Sequence, residues 1–156
     1  MNYLLRILLL LTISFCYSCA TVEKGKSEWE DSTIEFSRGS CFGMCPVYMI
    51  TVHGNGKIYY NGYSHTKQGM DSSTISKESV NILFSTLINN GFFQLESKYL
   101  NTSIPDLPTA TISLLHLNNK KTVQHTSGIS TAPKWVGEFD YTIDSIVNVE
   151  RWTSQK

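Results

Sequence analysis

Charge of one sign is missing from this chain: thirteen Lys and Arg stand against thirteen Asp and Glu, a formal net charge of +0 at pH 7. The basic residues are scattered, Lys120-Lys121 being the densest pair. Nucleic-acid binding rests on a concentrated positive field that releases counterions, so the expected partners include no nucleic acid. The common catalytic signatures are missing as well, since no G-x-S-x-G elbow, phosphate loop or zinc-helix motif occurs. Nor is there an apolar run near the ~20 residues that span a bilayer. At 156 residues with 41% apolar and 17% charged content, what remains is the composition of one ordinary globular domain.

The longest apolar run, Ile7 to Phe15, follows Arg6, the one charge in residues 1–18, and ends at Cys16-Tyr17-Ser18-Cys19. A positive n-region, an h-region and a small residue before a cleavage point make a signal peptide of residues 1–18. Ser18-Cys19 resembles a bacterial lipobox, with Cys16 standing where Leu is usual. The resemblance implies lipidation of Cys19 by a diacylglyceryl thioether and an amide-linked chain such as palmitate. Each buried methylene then adds about 0.8 kcal/mol of membrane affinity. Ala20 after the cysteine implies sorting to the outer membrane. Residues 19–31 read as the lipidated N-terminus and a polar tether, interrupted only by Val22 and Trp29; its r.m.s. reach is roughly 20 Å.

The domain is expected over 32–153. Thr33 to Ser37 alternates apolar and polar, a strand with Ile34 and Phe36 buried. Val47 to Val52 and Lys57 to Tyr63 read as a hairpin across His53-Gly54-Asn55-Gly56. Val80, Leu83, Phe84, Leu87 and Ile88 form a helical stripe, with Ser76 as N-cap and Gly91 as stop. Phe92-Phe93 should plug the core. A Pro-rich loop precedes a second hairpin, Ala110 to Leu117 with Lys121 to Thr126, turned at Asn118-Asn119. Pro133 then opens a helix carrying Trp135, Val136, Phe139, Ile143, Ile146 and Val147 and ending near Trp152. The expected fold is α+β: an N-terminal strand and two hairpins in one antiparallel sheet, with two helices on one face, in the order β-ββ-α-ββ-α.

The chemistry-bearing residues concentrate in Arg38-Gly39-x-Cys41-Phe42-Gly43-x-Cys45-Pro46-x-Tyr48 and in Asp106-x-Pro108-Thr109. Together they resemble an uncharacterised family of bacterial envelope domains, over about residues 33–152. The resemblance implies an extracytoplasmic address and brings no activity with it. Two cysteines four apart in an oxidising compartment are expected to pair as a disulfide, Cys41 to Cys45, fixing a turn with Gly43 and Pro46. Copper held by the two thiolates, or thiol–disulfide exchange, is the alternative. Copper would want a third ligand, and with 116 facing 121 across the turn, His116 and His125 stand about 13 Å apart along a strand. Asp106, Pro108 and Thr109 make a candidate binding loop. His53 and His65 read as surface residues, and Tyr59, Tyr60 and Tyr63 as an exposed aromatic patch. The expectation is a monomeric, lipid-anchored, non-enzymatic module without cofactor, its protein or small-molecule partner not readable from the residues.

Overall fold

The computed structural model describes residues 27–104 and 106–154, so the expected signal peptide, Cys19, residues 20–26 of the tether and Pro105 lie outside the described residues. Seven strands form one sheet: β1 (Thr33–Arg38), β2 (Val47–His53), β3 (Lys57–Ser64), β4 (Gly69–Thr74), β5 (Lys98–Tyr99), β6 (Thr109–His116) and β7 (Asn119–Thr126). Their spatial order is β4-β3-β2-β1-β6-β7-β5. The pairings are antiparallel except for the short β5 against β7. Among the described residues three α-helices accompany them, α1 (Lys77–Asn89), α2 (Lys134–Val147) and the single turn α3 (Glu150–Thr153), with a 3-10 turn at Phe92–Gln94.

Period-two alternation decides which face is covered. Ile34, Phe36, Ile50, Ile58, Ile112 and Leu114 are fully buried. They meet Val80, Leu83, Phe84 and Leu87 of α1, and Val136, Phe139, Ile143 and Val147 of α2. The two main helices therefore cover one face of a mostly antiparallel sheet, the architecture expected from the sequence. Ser76 caps α1 by accepting from Ser79 N at 3.1 Å, and Gly91 follows in the left-handed region at φ 74°. Phe92 is buried just beyond it.

Several details differ from the sequence reading. β4 and β5 were not expected, because Gly69–Thr74 is nearly all small or polar and carries no apolar period. The second hairpin turns at Leu117-Asn118, so His116 faces Asn119, not Lys121. Leu117 and Asn118 both take positive φ, 48° and 62°, as a type I′ turn requires of its central residues. The last long helix stops at Val147, where Asn148 turns left-handed at φ 53°, and Trp152 belongs to α3. Tyr60 is buried and stacks on Trp152 at 4.5 Å, so only Tyr59 and Tyr63 of the expected aromatic patch are exposed. Trp29, placed in the tether by the sequence, is 6% exposed and stacked on Phe84. The packed unit thus begins ahead of Ser32. A Cβ at Gly54 would come within 1.5 Å of the Trp29 carbonyl oxygen, which is why the chain can cross there only over a glycine.

The strand directions give the domain two distinct ends. Chain entry at Thr33 shares one end with the 54–56 and 117–118 turns. The 39–46, 65–68, 100–108 and 127–133 connections gather at the other.

Candidate functional site

Arg38 and Tyr48 are opposed in the β1–β2 register, one on each side of the cysteine loop. Both point into the covered face and meet Asp144 of α2. The Arg38 guanidinium donates to Asp144 Oδ2 through Nη2 at 2.6 Å and Nε at 3.1 Å. Tyr48 Oη accepts from Arg38 Nε at 3.2 Å and donates to Asp144 Oδ1 at 2.6 Å. One turn earlier on the same helix face, Asp140 Oδ2 lies 3.5 Å from Arg38 Nη1, and its Oδ1 faces His125 Nε2 at 3.1 Å. Arg38 Nη1 also donates to Ser127 Oγ at 3.3 Å. The six side chains clamp α2 to the ends of β1, β2 and β7.

Burial sets the electrostatics. Loss of water lowers the affinity of Arg38 for its proton, but the charge of Asp144 and its hydrogen bonds, with Asp140 farther off, more than reverse this, and its pKa stands above the ordinary value. Burial, reinforced by Asp144, pushes the Tyr48 hydroxyl far above its usual range and keeps it a donor. For Asp144 burial again comes first, raising the carboxyl despite the opposing pull of Arg38 and Tyr48. His125 Nε2 faces Asp140 and Nδ1 lies 3.3 Å from the Thr126 carbonyl. Ser127 Oγ bonds Arg38. As arranged, Ser127 faces Arg38 and His125 faces Asp140, so the cluster is a clamp and not a serine–histidine relay.

The cysteine loop sits directly on this clamp. Cys41 and Cys45 lie at disulfide distance with Cα atoms 5.8 Å apart. Phe42 N donates to the Asp106 carbonyl at 3.2 Å, Gly39 N to the Thr109 carbonyl at 2.8 Å, and Ser127 N to the Pro108 carbonyl at 2.8 Å. The Asp106 carbonyl thus holds the cysteine loop at Phe42 and the Thr109 carbonyl holds the chain at Gly39 just before it, while the Pro108 carbonyl ties the same segment to Ser127. A Cβ at Gly39 would stand 2.7 Å from Thr109 Oγ1, so this glycine permits the close approach. The side-chain turn in the 100–108 loop is made by Asn101, whose Oδ1 accepts from Ser103 N.

Residues 32–147 match the family model described as Domain of unknown function (DUF6438). The chain belongs to this family. No curated protein matches it. In this DUF6438 domain His53 and His116 lie at the entry end, away from the cysteines. His116 bonds Ser32 Oγ at 2.8 Å at the entry end, and His53 packs edge-on to Tyr59. Among the described residues, no group of three or more His, Cys, Asp or Glu is arranged to hold a metal ion.

Sequence reasoning quoted Arg38 and Tyr48 within a motif without giving them a role, and it missed Asp140 and Asp144. One signal was present. Val136, Asp140, Ile143 and Val147 fall on one helical stripe, and an acid on an apolar stripe asks for a buried partner.

Replacing Cys41 and Cys45 together by serine is expected to lower stability by about 2 kcal/mol, the loop-closure value for five residues, with the fold retained. Urea unfolding of the two forms measures it. An unchanged midpoint would mean that the clamp alone fixes the loop.

Proposed function

We propose that this chain is a non-enzymatic binding module of the bacterial cell envelope, anchored in the outer membrane through lipidated Cys19. Its working surface is the end of the sheet that carries the Cys41–Cys45 disulfide loop, and the R-G-x-C-F-G-x-C-P-x-Y pattern is the family's mark of that surface. One observation carries the reading. Chain entry at Thr33 and the cysteine loop after Arg38 lie at opposite ends of β1, six residues or about 20 Å apart. A tether that ends ahead of Trp29, which packs at this same entry end, turns the loop end away from its own membrane.

The composition of that end suits contact with a protein. Segments 39–46 and 127–133 hold no Asp, Glu, Lys or Arg, and Asp106 is the one such residue of 100–108. Phe42 is 90% and Met44 77% exposed at the loop tip, and Ile104 and Ile129 are exposed beside them. Uncharged, apolar exposure on neighbouring loops is the composition of an interface core. A loop held by a disulfide, the Asp106 carbonyl and the clamp loses little entropy on docking. The alternative, thiol or copper chemistry at Cys41 and Cys45, has in its favour that neither cysteine is buried.

A photo-reactive residue placed in cells at Phe42 should crosslink to a protein, whereas one at Leu117, exposed at the entry end, should not. Cys19→Ala should abolish both lipid labelling and membrane association. Equal crosslinking at both positions, or normal lipid labelling of Cys19→Ala, would overturn the reading.

A further inference from the structure

A cavity of about 360 Å³ opens beside the clamp, between the segment after β7 and one face of α2, with Arg38 and His125 among its lining residues. Its volume falls in the range of small-molecule sites. We propose that this cavity binds a small monocarboxylate with a short apolar body. The proposal is independent of the docking surface above.

Gly137 supplies the first argument. It lies inside α2, where glycine is worse than alanine by about 1 kcal/mol. Neither a positive φ nor a close neighbour calls for it, since a Cβ there would meet nothing within 4 Å. It does line the cavity. A larger side chain at 137 would extend into that space, so the glycine keeps it open.

Arg38 supplies the second. Asp144 takes the short bonds of the guanidinium, at 2.6 and 3.1 Å, through Nη2 and Nε. Nη1 is left with longer contacts, 3.3 Å to Ser127 and 3.5 Å to Asp140, the latter beyond ordinary hydrogen-bond length. The Arg38 side chain is 20% exposed. A carboxylate oxygen, an ionised acceptor, would make a shorter and stronger bond to Nη1 than the serine hydroxyl does.

The charge lining the cavity sets how much negative charge it takes. Arg38 and Lys134 stand against Asp140 and Glu138. Both acids are already engaged, Asp140 by His125 and Arg38, and Glu138 by Lys134 at 2.8 Å. A lining so balanced admits one negative charge more readily than the two of a phosphate. Ala132, Pro133 and Tyr141 provide the wall for an apolar body.

The test is an amide chemical-shift titration of the purified full chain in detergent with benzoate, and with benzyl alcohol as the uncharged counterpart. Benzoate at millimolar concentration should shift the Ser127 and Gly128 amides saturably, and benzyl alcohol should bind at least about tenfold more weakly. Gly137→Leu should abolish the shifts and leave the melting temperature unchanged or raised. If that variant fails to fold, Gly137→Ala is the second arm: its methyl enters the same open space, favours the helix, and should weaken benzoate several-fold. Absence of saturable shifts at these amides, equal binding of the alcohol, or undiminished binding in both variants would overturn the proposal.

Discussion

Replacing Arg38 by methionine is expected to lower the unfolding free energy by about 3–5 kcal/mol, the range for removing one partner of a buried ion pair. The substitution preserves much of the side-chain volume and removes the charge, leaving Asp140 and Asp144 with side chains 3% and 17% exposed. Tyr48 and His125 still reach them, but no fixed cation remains. The pH dependence separates this cause from lost packing. The Asp144 carboxyl is already raised by burial, so the folded state binds its proton more tightly than the unfolded chain does. Its contribution is therefore most favourable in acid, below the ordinary carboxylate value, and declines as pH rises through the raised folded value. Without Arg38 that decline steepens, so the deficit of Arg38→Met should be smaller in acid than at neutral pH in urea unfolding. Adding Asp144→Asn should recover part of it, because the two residues share one interaction. A deficit under about 1 kcal/mol, flat with pH, would mark the cluster as solvated.

The elements legible in the sequence are those whose apolar residues repeat with a period. β1, β2, β3, β6, β7, α1 and α2 each bury one side against a common core, and that requirement writes itself into spacing. β4 had no such duty. It is the edge strand beside β3, its Met70 is exposed, and it follows β3 through backbone pairing from Lys57↔Thr74 to Gly62↔Gly69. Edge strands of this polar kind discourage further pairing, and they are hard to see for the same reason. The displaced turn has a different origin. Asn118-Asn119 carries the better residues for positive φ, yet the chain places Leu117 at φ 48°, so that Leu114 and Ile112 face Lys121 and Val123 in the register it adopts. Nothing in the residues of the turn itself explains the shift.

The site was legible only in its local half. Arg38, the two cysteines and Tyr48 are close in sequence and appear as one motif, but Asp144 lies 106 residues from Arg38 and 96 from Tyr48. Nothing in a motif reports its partner across such a distance. His125, weighed from the sequence as a ligand, proves to be the second residue holding Asp140. The candidate loop at Asp106, Pro108 and Thr109 was named from the sequence without a neighbour, and its bonds to Phe42, Ser127 and Gly39 run through carbonyls, which any side chain could accompany. Side-chain identity carries no record of such a role.

Trp29→Ala is expected to lower stability by about 3–5 kcal/mol, the usual range for emptying a buried tryptophan site. A lone tryptophan in a polar stretch reads as part of a tether, and here it closes the entry end of the core. Its ring stacks on Phe84 at 5.4 Å and tilts against His116 at 5.2 Å, while Nε1 donates to Asn81 Oδ1 at 3.2 Å. The segment is pinned on both sides, since Ser32 N donates to the Trp29 carbonyl at 2.8 Å and Gly54 N to the Ser32 carbonyl at 2.9 Å. Gly54→Ala attacks the same seam from the hairpin, where an added methyl would overlap the Trp29 backbone. A chain truncated to begin at Ser32 should therefore lose about as much stability as Trp29→Ala does, and one beginning at Ser27 should lose little. Urea midpoints of the two truncations decide it. Equal midpoints would show the tryptophan to be dispensable and the tether to run to residue 31; a lower midpoint for the shorter chain puts the start of the folded unit at the tryptophan.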